Sequence, residues 1–368
     1  MSKLDSLLTL EYGAALPADK RSGAGFTVFG ANGEVGRHSA YLVADSGIVV
    51  GRKGSVGKVT WSEEPFWPID TTYWVNCSRE NKRWLFWVLS WLPLDRLDTS
   101  TGIPGLNRND VYGLNINVPP QQERRCIAEL LDTLDTALRE TEAITAKLKL
   151  IKQGLLHDLL TRGIDENGEL RPPRSEAPHL YKESPFGWIP KEWDLTQLGK
   201  VAALQRGYDI VEADFAPGPY PVISSSGIVG YHAVSTSRGP NVVVGRKGSI
   251  GTVHHVVTDF WAHDTSLFVT NFFGNDIQFI FHLFTYLRLG QYGTKSGSPS
   301  LNRNDIHPLW IGRPNVDEQR MIVCALAVHD DAIRETAQEL EKLKKLKPGL
   351  MDDILTGRVR VTPLLAQK

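Results

Sequence analysis

The sequence predicts an α+β protein that has been built twice. Two similar mixed domains are expected, separated by two long antiparallel coiled-coil helices, in a pseudo-twofold, quasi-circular internal repeat. Three observations lead there. Val49-Val50-Gly51-Arg52-Lys53-Gly54-Ser55-Val56-Gly57 returns as Val243-Val244-Gly245-Arg246-Lys247-Gly248-Ser249-Ile250-Gly251. Further blocks recur in the same order: Gly33, Gly36 and His38 with Gly227, Gly230 and His232; Phe66-Trp67 and Asp70-Thr71 with Phe260-Trp261 and Asp264-Thr265; Leu106 to Asp110 with Leu301 to Asp305. Each copy then ends in a stretch with apolar residues at 4-3 spacing. A period this long is a whole domain with an appendage rather than a solenoid unit.

Residues 1–118 read as the first domain. Short apolar-aromatic runs (Tyr41-Leu42-Val43, Gly47 to Val50, Lys58 to Trp61, Tyr73-Trp74-Val75) lie between Gly, Pro, Asn and Asp clusters, the pattern of strands joined by tight turns. Trp84 to Leu92 is apolar on nearly all sides and reads as a buried helix. Pro119-Pro120 closes the domain, and 119–162 reads as a long helix. Its seam is Ile127, Leu131, Leu134, Leu138, Leu148, Leu155 and Leu159, weakened at Thr141, Thr145 and Lys152. About 40 residues at 1.5 Å each would span roughly 60 Å, and such a stripe needs a partner. The stretch 314–357 supplies one with Ile322, Leu326, Ile333, Thr336, Leu340, Leu343, Leu350 and Ile354. His329 and Lys347 weaken that seam, and Pro348 is expected to kink it.

Residues 163–185 read as a surface linker, because Pro, Glu, Arg and Gly dominate them. Residues 186–313 read as the second domain, opened by Trp188-Ile189-Pro190 and Trp193. The first copy has no counterpart of that opening, since Met1 aligns near Leu195. The tail, 358–368, is expected to complete the first domain by lying beside its start.

Composition narrows the functional classes. The 368 residues carry 41 Lys and Arg against 42 Asp and Glu, so indiscriminate polyanion binding is not expected, though local basic patches are allowed. No apolar run approaches the roughly 18 residues of a membrane span, and the N-terminus does not read as a signal peptide. Cys77, Cys126 and Cys324 have no counterparts in the other copy, which fits free thiols in a reducing cytoplasm. Gly51 to Val59 only superficially resembles a phosphate-binding loop: the spacing is wrong, and Val59 stands where Ser or Thr would hold magnesium. His254, His255, His263 and Asp264 align with Thr60, Trp61, Ile69 and Asp70, so a metal site is not part of the common design. Asp70 and Asp264 recur without a second carboxylate, and read as structural aspartates bonded to backbone amides rather than general bases. No nucleophile–base pairing repeats. The chain reads as a binder.

What repeats and carries charge is Arg52, Lys53 and Ser55 with Arg246, Lys247 and Ser249, and Arg108 with Arg303. A glycine-flanked Arg-Lys turn offers backbone N–H groups and two cations together, which suits phosphate oxygens or a guanine edge; the alternative is a hairpin with solvated charges. For Leu-Asn-Arg-Asn-Asp, which precedes a strand and a proline turn, the structural reading is the stronger one.

These residues resemble the DNA-specificity (S) subunits of type I restriction–modification enzymes. The likeness lies in Gly-Arg-Lys-Gly-Ser-[Val/Ile]-Gly, the aromatic-x-x-Asp-Thr step, Leu-Asn-Arg-Asn-Asp, the Pro-Pro-Gln-Gln-Glu-Arg helix entry and Gly-Trp-Ile-Pro. It extends to the domain–helix–domain–helix order of the whole chain. The resemblance implies that each domain is a target-recognition domain reading one half of a bipartite, asymmetric double-stranded DNA site. The helices would set the unread spacer and dock two methyltransferase (modification) subunits for adenine N6 methylation, with restriction/translocase subunits as further partners. It implies a non-catalytic chain without a cofactor of its own. S-adenosylmethionine belongs to the modification subunit, ATP and magnesium to the restriction subunit. Positions that differ between copies are then the candidate base readers: Asn32, Glu34, Arg37 and Lys58 against Ser226, Ile228, Tyr231 and Thr252. If Arg52 or Arg246 touches a base, replacing it with Ala should weaken binding by about 1–3 kcal/mol. The competing readings are a duplicated enzyme with its active site between the repeats, which would be active alone, and a protein-interaction scaffold that ignores DNA.

Overall fold

The computed structural model describes residues 1–97, 105–294 and 299–365, which divide into two compact units. The first unit is residues 1–143 with 337–368; the second is 144–336. Each unit therefore holds one globular domain, part of one long helix and part of the other.

In the first unit, β1 (Ser2–Lys3), β2 (Leu8–Tyr12), β3 (Phe26–Gly30), β4 (Gly33–His38), β5 (Gly47–Gly51), β6 (Val59–Ser62), β7 (Phe66–Pro68) and β8 (Thr72–Cys77) precede α1 (Lys82–Trp91). α2 (Arg108–Tyr112), β9 (Asn115–Ile116) and the long helix α3 (Gln121–Thr161) follow. The strands form a four-stranded antiparallel sheet, β2-β8-β5-β6, and a three-stranded sheet, β4-β3-β7, in which β3 and β7 run parallel. β5 is buried along its whole length because α1 covers its sheet, burying Trp84, Leu85, Trp87, Val88 and Leu89. That is why both segments are apolar without periodicity.

The second unit adds a hairpin, β10 (Tyr181–Ser184) with β11 (Gly187–Pro190), and then repeats the plan. Its elements are β12 (Asp194–Gln197), β13 (Ala203–Arg206), β14 (Tyr220–Ser224), β15 (Gly227–His232), β16 (Asn241–Gly245), β17 (Val253–Val256), β18 (Trp261–Ala262), β19 (Ser266–Asn271), α4 (Ile277–Leu287), α5 (Arg303–Ile306), β20 (Trp310–Arg313) and the second long helix α6 (Val316–Thr356). Sheet orders β13-β19-β16-β17 and β15-β14-β18 match the first unit strand for strand. A short helix α7 (Thr362–Leu365) ends the described chain.

Within each unit the long helices run antiparallel, as the contacts show. In the first unit Lys347 bonds Asp135 and Lys344 pairs with Glu142, so numbers rise along one helix as they fall along the other. In the second unit Lys152 pairs with Asp330. The two seam lysines are repeat equivalents and so are their aspartates, so the weak seam positions are filled by a duplicated ion pair. α6 stays helical through Pro348, so the proline does not end the helix.

Each long helix also carries a buried glutamate in its first turn. Glu318 accepts from the Ile164 N–H at 3.0 Å, from Arg171 Nη1 at 2.5 Å and from Trp193 Nε1 at 3.0 Å. Glu123 accepts from Arg360 Nε at 2.7 Å and from the Val361 N–H at 3.3 Å. The Arg360 guanidinium holds the Glu123 carboxyl below its usual range.

Two expectations need correction, and a third is met by a different route. Residues 163–185 are not a surface linker: Ile164, Arg171, Ala177 and Tyr181 are buried, because Glu318 anchors the segment and the β10–β11 hairpin begins inside it. The tail does reach the first domain's start, where Val361 shares a core with Leu4, but it adds no strand among the described residues. β1 pairs with β9 as β12 pairs with β20, so the domain completes its own edge. The tail instead delivers Arg360 to Glu123 and Val361 to the core formed by Leu4, Leu10, Trp84, Leu131 and Met351. Tyr41-Leu42-Val43 is not a strand; only Val43 makes a bridge, to Phe66, and Tyr41 and Leu42 are exposed.

His282, on α4, takes the place that Trp87 has on α1. Burial first, and the Lys152 charge second, push its pKa down to about 4. The unfolded chain protonates it near its ordinary value of about 6.5. Its share of stability is thus complete above that pH and is lost as pH falls toward 4, by on the order of 3 kcal/mol at most. Urea unfolding at neutral pH and near pH 4.5 should show a smaller acid loss for His282→Phe than for the parent chain. Some acid sensitivity should persist, because burial also lowers His255 and His307.

Candidate nucleic-acid interface

The three blocks that repeat most closely meet at one place in each domain. The turn after β5 is closed by the Gly57 N–H donating to the Gly51 carbonyl at 2.9 Å, and its counterpart by Gly251 to Gly245 at 2.8 Å. The N–H groups of Arg52 and Lys53 both donate to the Thr71 carbonyl, as those of Arg246 and Lys247 do to Thr265. The carbonyl of Arg52 accepts from Leu106, and that of Arg246 from Leu301. Asn107 and Asn302 then cap α2 and α5, their side chains accepting from Asn109 and Asn304. The repeated motifs are therefore one hydrogen-bonded knot.

This geometry divides the sequence-nominated residues. The Arg52 guanidinium donates to the Asp70 carbonyl at 2.7 and 3.2 Å, and that of Arg246 to the Asp264 carbonyl at 3.1 Å, so both arginines brace the knot. The expected bonds from backbone amides to the Asp70 and Asp264 carboxylates are not formed among the described residues: only the main-chain carbonyls join the knot, and the Asp264 carboxylate accepts from Arg206. Lys53 and Lys247 have no side-chain partner among the described residues and stand at the turn as available cations; Ser55 and Ser249 share the turn.

Around the knot the two domains differ. In the first, Arg52 and Arg108 both stand over the exposed Tyr12 ring, at 5.2 and 5.3 Å from its centroid. Burial, together with Tyr12, pushes the Tyr73 phenol up to about 12, so it stays a neutral donor to the Leu106 carbonyl. In the second, Arg206, Arg246 and Arg303 line one concavity of about 440 Å³ with Asn302 and Ser300. Arg206 is paired with Asp264 at 2.9 Å, and Arg303 Nη1 donates to the Leu204 carbonyl. Tyr12 and Arg206 are aligned positions that repeated motifs do not reveal, because the two residues differ.

The hairpins β3–β4 and β14–β15 share a bulge, after Val28 and after Val222, and glycines at φ +113° and +106° (Gly33 and Gly227). Side chains rarely adopt that φ, which explains why these glycines repeat. The same frame carries different outward residues: Glu34, Val35 and Arg37 on one hairpin, Ile228, Val229 and Tyr231 on the other, all exposed. Arg37 lies 3.6 Å from Glu34 and donates to the Gly25 carbonyl. Lys58 Nζ bonds the backbone and side-chain oxygens of Asn32 at 2.8 and 2.9 Å. Thr252 does the same service for the second hairpin by donating to the Ser225 carbonyl, where Ser226 bonds Ser224.

The histidines near this region are individually satisfied: His254 lies 3.0 Å from the Ser225 carbonyl and His263 3.1 Å from that of Ile210. No group of three His, Cys, Asp or Glu suited to a metal occurs among the described residues. The three cysteines are unpaired, with burial pushing the Cys77 thiol up to about 11.

Two similar bulged hairpins on a common knot, with long antiparallel helices, define a recognisable class. The family model described as the type I restriction modification DNA specificity domain matches residues 1–150 and 190–345. The chain belongs to that family. Among its relatives are two proteins of Methanocaldococcus jannaschii, the putative type I restriction enzyme MjaX specificity subunit (23% identical over 277 residues, 70% of this chain) and the MjaVIII specificity subunit (23% over 297 residues, 72% of this chain). The matches span 62% and 66% of those relatives, just under two thirds. The EcoprrI specificity subunit of Escherichia coli is 26% identical over 153 residues, 40% of this chain and 38% of its own. The fold is similar to the crystal structure of the type I restriction–modification S subunit from M. genitalium, with a TM-score of 0.69 at 16% identity over 96% of this chain and 95% of that one. It is also similar to a structure reported for the assembly and conformational transition of a type I restriction–modification system, at a TM-score of 0.55 and 15% identity over 97% of both chains.

Proposed function

We propose that this chain is the DNA-reading subunit of a type I restriction–modification complex, each domain reading one half of a bipartite, asymmetric duplex site. The observation that carries the proposal is the hairpin pair: one backbone frame presented twice, with different outward side chains. Sequence is read through side chains on base edges, while phosphate contacts only position the protein. The repeated lysines, Lys53 and Lys247, are assigned to phosphate; Glu34 and Arg37, and Ile228 and Tyr231, are assigned to base choice. The long helices set the spacer and dock two methyltransferase subunits, which bring S-adenosylmethionine, and restriction subunits bring ATP and magnesium. The chain itself is a cytoplasmic, non-catalytic binder. No described helix is long and apolar enough to cross a membrane.

Two kinds of variant separate these roles. Lys53→Ala and Lys247→Ala should each weaken binding of the assembled complex alike for all sequences and lower the salt slope by about 1. Glu34→Ile with Arg37→Tyr should instead change which site is bound, with discrimination altered by about 1–3 kcal/mol. Sequencing methylated adenines in cells that express each variant with its methyltransferase reads the outcome. An unchanged site after the hairpin exchange would reject the assignment of base choice to these residues.

A further inference from the structure

In the first unit a cavity of about 370 Å³ lies between α1 and the start of α3, lined by no residue of the knot or its hairpins. Arg79, Arg83, Arg124 and Arg125 line it, with Trp84 and the carboxylates of Glu80, Glu129 and Asp132. Three buried nitrogens there have no hydrogen-bond partner among the described residues: Arg83 Nη1, Trp84 Nε1 and Arg124 Nε. All three belong to residues that line this one cavity, and Trp84 is 1% exposed. The neighbouring atoms are otherwise engaged: Arg83 Nε and Trp87 Nε1 both donate to Asp132, and Arg124 Nη1 donates to Asn81. Buried donors are normally satisfied, so three gathered at one cavity call for an acceptor.

The second unit fills the same position with mostly uncharged residues. Gln278, Phe279 and Gln319 stand where Arg83, Trp84 and Arg124 do, and Gly274 where Arg79 does. Gln319 is fully buried and satisfied there. Its Nε2 donates to Asn275 and to the Pro314 carbonyl, and its Oε1 accepts from the Asp276 N–H. The fold therefore has a self-contained solution at this place, in which Arg320 alone matches Arg125; the first unit has the same surplus of one positive charge but reaches it with four arginines and three carboxylates, and leaves three donors without a partner among the described residues.

From this we infer that the α1–α3 cavity is a binding site for a carboxylate. Four guanidiniums against three carboxylates leave a surplus of one positive charge, which matches a monoanion. A planar two-oxygen acceptor suits guanidinium and indole N–H donors, whereas a phosphate dianion would bring extra charge against Glu80 and Glu129. The carboxylate could be that of a small free acid or a side chain offered by another protein. The chemistry is shared, and the test below separates the sources. The inference is independent of how the chain reads DNA.

The test uses the full chain with ¹⁵N-labelled tryptophan, following the Trp84 indole N–H signal, which Trp84→Phe identifies; Phe279 shows that the fold accepts Phe there. Sodium acetate and blocked N-acetylglutamate amide are titrated in turn at constant ionic strength balanced with chloride, and inorganic phosphate serves as the contrast. The expected result is a saturable shift of the Trp84 signal with acetate, the other nine indoles staying still. Its affinity should fall about tenfold or more in Arg124→Gln, which copies the second unit. Saturation by both carboxylates supports a site open to a protein side chain; saturation by acetate alone supports a small free acid. No saturable shift, a shift with phosphate only, or an undiminished response in Arg124→Gln would each overturn the proposal.

Discussion

Replacing Glu318 with Ala should destabilise the second unit by about 3–5 kcal/mol, the usual cost of stranding one partner of a buried ion pair. Glu318 and Arg171 side chains are 4% and 7% exposed, so water cannot replace what is lost. The carboxylate also satisfies the Ile164 N–H and Trp193 Nε1, which would become unpaired buried donors. Arg171 would keep only the Arg162 carbonyl and Glu192, whose side chain is 70% exposed. Hydrogen exchange should locate the loss at Gly163 to Trp193 before the rest of the unit. The equivalent change, Glu123→Ala, should cost less, about 1–3 kcal/mol, because Arg360 is 56% exposed and can turn to solvent. Equal losses for the two variants would mean that the buried network around Glu318 contributes nothing beyond the bond that both clasps share.

Gly57→Ala and Gly251→Ala should each unfold the basic turn, with losses on the order of 3 kcal/mol or more, since strain and overpacking act together. Both residues hold left-handed backbone, φ +75° and +79°, which alone costs a side chain about 1–2 kcal/mol. A Cβ on Gly57 would lie 2.5 Å from the Asp95 nitrogen, and one on Gly251 would lie 2.2 Å from that of Gly290. Those neighbours are main chain and cannot swing aside. Gly54→Ala is the control: it has φ +84° but open space around it, so it should show the conformational cost alone. Thermal unfolding ranks the three. DNA binding by the assembled complex should follow the same order, because Lys53 and Lys247 ride on these turns.

These two cases show what a single sequence can and cannot disclose. The duplication, the buried helix at Lys82–Trp91 and the seam residues Ile127, Leu131, Ile322 and Leu326 were legible, because periodicity and identity are local or repeated signals. The part played by Arg52 was not. A glycine-flanked arginine reads the same whether its guanidinium faces solvent or, as here, the carbonyl of Asp70, 18 residues away. Arg171 was hidden in the same way, by a polar stretch whose composition resembles a linker although a glutamate 147 residues later buries it. The α1–α3 cavity escaped notice because Arg79 lies in the turn before α1, Arg83 on α1 and Arg124 on α3, and nothing in their spacing brings them together. Tyr41 and Leu42 erred in the opposite direction: apolar character suggested a strand where the chain leaves both exposed.

The composition of the first unit bears on how the protein is made. Its core includes Met351, Ile354, Leu355 and Val361, which leave the ribosome long after the strands they cover. At about 5–20 residues per second, that interval is on the order of tens of seconds. The second unit is contiguous, so it can finish folding first, and the domain translated first is the one completed last. A released chain truncated after Thr336 should therefore carry a protease-sensitive N-terminal third beside a protected middle.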